Sequence, residues 1–179
     1  MRPAPGEVLH FSEDPTIEVF RPHVAATARQ KAPYVWAVGH DRAPDYWFPR
    51  QCPRAMAWAG PGTTPEDLAR IIGPGSSPRV HAVEYAWLEA IRTVKLYAYR
   101  LPAAPFVEHD AAVVATTEVV PLAPPERVGN LFTLHAEAGI QLRVLPNLHA
   151  FWDEVIASTL EYSGIRLRNA LPRPTTALM

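Results

Sequence analysis

The chain holds one cysteine, nine glycines, no excess of either charge and no long apolar run, and each shortage removes a class of protein. A lone Cys52 excludes an internal disulfide and a cysteine-based zinc cluster. It reads as a small apolar residue rather than a nucleophile, because the run Pro49-Arg50-Gln51-Cys52-Pro53 offers it no histidine. Seventeen Lys and Arg against eighteen Asp and Glu leave a net charge of -1, so nothing favours nucleic acid or an anionic membrane as partner. No stretch approaches the ~18 apolar residues of a membrane span. The opening Met1-Arg2-Pro3-Ala4-Pro5-Gly6-Glu7 lacks the apolar segment of a signal peptide, and the expected location is the cytoplasm. Absent too are the phosphate-binding loop, the dinucleotide fingerprint Gly-x-Gly-x-x-Gly, the elbow Gly-x-Ser-x-Gly and the zinc motif His-Glu-x-x-His. Those absences set aside P-loop NTPases, simple Rossmann dehydrogenases and α/β-hydrolases.

What the chain has in quantity is proline, 20 of 179 residues, about twice the usual ~5%. With 48% hydrophobic residues it has enough to bury a core, and prolines that frequent exclude a helical bundle or coiled coil. The length fits one domain over residues 1–179, with 1–7 and 170–179 frayed. Extended segments are expected at Val8–Ser12, Ile17–Phe20, Tyr34–Val38, Ala55–Ala59 and Val80–Tyr85. Others follow at Val94–Arg100, Ala112–Thr116, Val119–Leu122 and Ile140–Leu145, and a loop runs through Gln30 and Lys31. Asp41 is the expected cap of a short turn carrying Tyr46, Trp47 and Phe48. Thr64-Pro65-Glu66-Asp67 is the clearest helix start, with a capping hydroxyl, proline at the first position and acids in the first turn. Leu68, Ile71 and Ile72 give that helix its apolar face, and Gly73-Pro74-Gly75 ends it. Further helical segments are expected near Trp87–Ile91, from Val128 to a stop at Gly139, and from an Asn147 cap to Gly164. Strands outnumber helices without a βαβ rhythm, so the class is α+β with short, mostly antiparallel strands and a few short helices.

The residues that carry chemistry are scattered histidines beside acids and aromatics. His10 ends an apolar strand next to Ser12, a pairing that either presents two hydrogen-bonding groups to a ligand or is satisfied by backbone. His40-Asp41 reads as a metal pair, as a base with its orienter, or as a polar turn. His81 and Glu84 share a strand at a spacing of three, which puts them on opposite faces and argues against a shared metal. His109-Asp110 falls in a loop. Most of the five tryptophans belong to the core; Trp36 is the exception, sharing a strand face with Tyr34 so that the pair can wall a flat ligand. No metal site is assigned, and a metal-dependent hydrolase would need three of His10, His40, Asp41, His81, His109 and Asp110 to converge.

The order of these pieces carries a resemblance. Leu9-His10-Phe11-Ser12, then Phe20-Arg21-Pro22, then Tyr34-Val35-Trp36-Ala37-Val38 with Tyr46-Trp47 after it resembles the front half of ADP-ribosyltransferase-like domains. The similarity is to the rifampin-modifying and RNA phosphotransferase types. Val94–Pro102 and Thr117-Glu118-Val119-Val120-Pro121-Leu122 resemble that family's later strands. The opening His-Phe-Ser-Glu-Asp-Pro and closing Ser-Gly-Ile-Arg-Leu-Arg-Asn also resemble an uncharacterised bacterial family that brings no activity with it. The transferase resemblance implies a split half-barrel holding NAD between two β-layers, and a reaction at the nicotinamide ribose, either ADP-ribosyl transfer or NAD cleavage. By that resemblance His10 bonds the ribose, Ser12 supplies the following hydroxyl and Trp36 stacks on nicotinamide. Glu118, or alternatively Asp110, is then the acid that stabilises the developing oxocarbenium ion. The chain departs from the pattern in carrying Trp36 for tyrosine and Phe11-Ser12 for Gly-Thr. Two alternatives therefore stand beside the enzyme: a pocket reshaped for another nucleotide, and a non-catalytic module binding a small ligand or a partner on the same fold.

Overall fold

A computed structural model of the chain describes residues 1–24, 32–74 and 77–174. The loop through Gln30 and Lys31, Gly75 and the last five residues of the tail lie outside the described residues. The first half supplies β1 (Glu7–Ser12), β2 (Val35–Ala37), β3 (Arg54–Trp58), α1 (Pro65–Asp67), β4 (Arg79–Glu84) and α2 (Leu88–Thr93). The second half supplies β5 (Tyr97–Pro102), β6 (Val107–His109), β7 (Ala112–Ala115), β8 (Glu126–Arg127) and α3 (Leu131–Glu137). It closes with β9 (Gln141–Leu145), α4 (His149–Ile156) and β10 (Glu161–Ile165). The class is α+β, with short strands in largely antiparallel sheets and few helices. No helix among the described residues is long and apolar enough to cross a membrane.

The contacts cluster into two compact units, each discontinuous in sequence: residues 1–50 with 94–129, and residues 51–93 with 130–179. The first unit contains two antiparallel sheets, β1–β5–β8 and β2–β7–β6. Because strand side chains alternate, β1 serves two clusters. Val8 joins Phe20, Val35, Tyr99, Leu101 and Val119 in one, and Leu9 joins Val38 and Ala43 in the other. The second unit is built on the sheet β10–β3–β4–β9, in which only β4 and β9 run parallel. One face of that sheet, through Ala57 and Val80, buries Ile71, Ile72, Val155 and Leu160.

Local chemistry accounts for the helix starts. Thr64 accepts from the Asp67 amide at 3.3 Å with Pro65 in the first turn, as the sequence predicts. The chain then widens into a π-helical turn over Leu68–Ile72 and ends at Gly73, whose φ of 82° suits glycine. Asn130 caps α3 by accepting from the amides of Phe132 and Thr133. Asn147 accepts from the His149 amide at 2.9 Å just ahead of α4.

Other expectations are corrected. The N-cap of the 3₁₀ turn Ala43–Tyr46 is Arg42 rather than Asp41, and the Asp41 carboxylate meets the His40 ring. The segments Ile17–Phe20 and Val119–Leu122 reduce to a single bridge, Phe20 to Val119. The helix expected to run to Gly164 stops at Ile156, because Glu161–Ile165 leaves it to pair antiparallel with β3. Gly164 permits that turn of events, since a Cβ there would lie 2.6 Å from Leu167 Cδ1 and 2.8 Å from Trp152 Cη2. Within the segments expected to fray, the carbonyls of Met1 and Pro172 accept side-chain bonds. Trp47 Nε1 donates to the Met1 carbonyl at 3.1 Å, and Asn147 donates to the Pro172 carbonyl at 2.9 Å.

Candidate functional site

The five residues singled out from the sequence all fall in the first unit, and its strands sort them into two groups. His10 lies on β1, two residues from Val8, and so leaves the strand on the same face as Val8. Its ring packs on Phe20 with centroids 4.6 Å apart. The Nδ1–H donates to the Trp36 carbonyl at 2.7 Å; because a carbonyl only accepts, this fixes the tautomer and leaves a lone pair on Nε2. Burial holds the imidazole pKa below its ordinary value; the bond to Trp36 opposes that shift, while the Arg50 and His23 charges add to it. The ring is therefore neutral near pH 7, a hydrogen-bond acceptor rather than a cation.

Ser12 is buried and occupied. Its hydroxyl accepts from the Asp14 amide at 3.1 Å. Asp14 in turn receives Thr16, and its carbonyl accepts from the Tyr99 hydroxyl at 2.7 Å. That ladder shapes the bend after β1.

Trp36 leaves β2 on the other face. Its neighbours Val35 and Ala37 point into the cluster that holds Val8 and Phe20, so the pleat sends the indole away from them. There it meets Tyr34 at 5.9 Å and His109 at 5.5 Å, and Tyr34 and His109 are themselves 5.3 Å apart. The register explains the gathering. Trp36 pairs with Val114, which pairs with Val107, and His109 pairs with Ala112, so all these side chains share one face of the β2–β7–β6 sheet. The three rings are half-buried, beside an exposed Val107. His10 thus touches Trp36 through its backbone, while the two rings occupy opposite faces of the strand layer.

The two acids divide the same way. Glu118 stands next to the Phe20–Val119 bridge and forms a 2.8 Å ion pair with Arg21, both side chains more than half exposed. Asp110 begins the two-residue turn between β6 and β7 in the left-handed region, φ 52°, directly after His109. Asp tolerates that conformation better than most residues, which gives it a structural reason to be there. His109 was expected in a loop. It lies on a strand because β7 offers a partner, something a three-residue segment cannot signal by itself.

In the second unit His81 and Glu84 do point to opposite faces of β4. Glu84 accepts from the amides of Leu148 and Leu171, and His81 meets His135, which no local pattern in the sequence marks. Among the described residues no three His, Cys, Asp or Glu side chains converge to hold a metal ion. The Cys52 thiol is buried, with its pKa pushed up to about 12 chiefly by desolvation.

A family described as "Family of unknown function (DUF6886)" matches residues 9–170. No curated protein and no solved structure matches the chain.

Proposed function

Given that the chain belongs to this family of unknown function, we propose from its chemistry that the first unit binds NAD or a related nucleotide, stacking a planar ring on the Tyr34–Trp36–His109 face. The observation that carries the reading is the mutual approach of the three rings, 5.3 to 5.9 Å between centroids, on one face of a three-stranded sheet. Rings that remain half-buried keep π-faces for a ligand, and each stacked base is worth about 1–3 kcal/mol by alanine substitution. His10 acts here as a positioning residue, since its bond to the Trp36 carbonyl holds the backbone that carries the indole. Two three-stranded antiparallel sheets sharing one cluster of buried residues are in keeping with a split half-barrel of the ADP-ribosyltransferase-like kind.

A second reading, cleavage or transfer at the nicotinamide ribose, is favoured by the position of Asp110. With nicotinamide on Trp36, the acid adjoining the rings is Asp110, which follows His109, rather than Glu118 in its exposed pair with Arg21. The acid's work would be to stabilise positive charge as the glycosidic bond lengthens.

Titration calorimetry with NAD and with AMP tests the binding. Trp36→Ala is expected to weaken it about ten- to a hundredfold, and Glu118→Ala to leave it unchanged. Absence of heat from the native protein with either nucleotide, or equal affinity for native and Trp36→Ala, overturns the proposal. Release of nicotinamide that disappears in Asp110→Asn and persists in Glu118→Gln supports the second reading; no release from the native protein ends it.

A further inference from the structure

In the second unit, β4 and the helix α3 are joined by a line of hydrogen bonds that uses every ring nitrogen of two buried histidines. Arg79 donates its Nε–H to His81 Nε2 at 2.8 Å. His81 Nε2 is thereby an acceptor, so its proton sits on Nδ1, which lies 3.1 Å from His135 Nε2. His135 Nε2 accepts that proton's bond, and its own Nδ1–H donates to the Leu131 carbonyl at 2.7 Å, one turn back in α3. Both rings are essentially inaccessible, 0% exposed for His81 and 1% for His135, and they meet edge to face at 5.1 Å.

Neither ring has room for a second proton. A proton on His81 Nε2 would face the Arg79 N–H, and one on His135 Nε2 would face the His81 N–H. The surroundings push the same way. Arg79 lies on β4 itself, and Arg54 comes from β3 on the face of Met56, the cross-strand partner of His81. Both guanidinium groups disfavour charge on His135, and burial holds its pKa below the ordinary value more strongly than either. From β9 the residue opposite His81 is Leu142; Arg143 takes the other face and donates to the carbonyls of Ile71 and Ile72. On α2, Glu89 and Arg92 pair with each other in solvent, and Glu137 of α3 is exposed.

We propose that the His81–His135 pair is an acid-sensitive latch, holding α3 on the four-stranded sheet while both rings are neutral and releasing it when either is protonated. The sign follows from linkage. A histidine whose folded pKa is depressed leaves the attachment intact above the unfolded value of ~6.5, and the attachment weakens as pH falls from there toward the folded pKa.

Amide exchange on the full chain, corrected for intrinsic rates, is the test. Below about pH 6.5, protection of the α3 amides is expected to fall roughly tenfold per pH unit for each proton taken up. The β10 amides in the same unit should hold theirs. In His135→Gln, which keeps an acceptor and a donor but does not titrate, the dependence on pH should fall to the part that His81 alone contributes. Equal pH dependence in the native protein and His135→Gln, or flat α3 protection in the native protein, overturns the latch. Should His135→Gln fail to fold, imidazole titration of the native protein by NMR decides. Rings still neutral below the ordinary ~6.5, with α3 exchanging faster once they charge, support it; ordinary independent titration with α3 undisturbed refutes it.

Discussion

Removing the carboxylate of Glu84 tests how the second unit holds its C-terminal segment. Glu84 is wholly buried at the end of β4, and among the described residues its oxygens accept from backbone amides. Oε1 accepts from Leu148 at 3.1 Å, and Oε2 accepts from Leu171 at 3.0 Å. The two donors differ in what replaces the bond. Leu148 is 1% exposed, so its amide has no water to turn to, while Leu171 is 45% exposed and can find some. Orphaning a buried N–H costs about 1–3 kcal/mol, and losing an ordinary solvated hydrogen bond about 0.5–1.5. Against this stands the relief of no longer burying a polar carboxyl group, which trims the total. Glu84→Ala should therefore destabilise by about 2–3 kcal/mol, a fall in melting temperature of roughly 4–12 °C at this chain length. Glu84→Gln, which keeps an acceptor for Leu148 but turns an amide group toward Leu171, should lose about half as much. Guanidinium unfolding gives the stability, and amide exchange at Leu148 and Leu171 gives the location. A loss for Glu84→Ala under about 0.5 kcal/mol, or protection unchanged at Leu148, would refute the reasoning.

One further substitution and one reagent probe the same unit. Gly164→Ala pushes a Cβ to within 2.8 Å of the Trp152 ring and 2.6 Å of Leu167. It should cost about 1–3 kcal/mol by overpacking, measured by thermal unfolding, with a neutral result showing that Trp152 gives way freely. Cys52, with its thiol pKa pushed up to about 12, should ignore a thiol reagent at neutral pH in the folded chain. It should react promptly in guanidinium, and fast labelling of the folded protein would show that the site opens.

How much of this was legible in the sequence depends on how local the cause was. The Thr64 cap with Pro65 was readable because the bonds it makes close within three residues. The Tyr34–Trp36 pair was readable because a spacing of two puts both on one strand face, and the opposite faces of His81 and Glu84 follow from the same rule. The strands at Val107–His109 and Glu161–Ile165 were not, since each exists only because β7 or β3 offers it an edge. Motif order suggested His10, Ser12 and Trp36 as one group. The pleat separated them, since the faces of two different strands are assigned only once those strands pair.

The amino-acid sequence by itself determined the class of this protein. Twenty prolines and nine glycines among short apolar runs confine it to short strands and short helices, and its formal charges nearly balance. It also determined which residue types are at hand for chemistry. Tertiary structure alone decided which of them meet. His109 reaches Trp36 across two strand pairings, and His135 reaches His81 from a helix 54 residues further along the chain. Contacts of that kind depend on register and on which face of a sheet a helix covers, and those are set by burial of the whole unit rather than by any window of sequence.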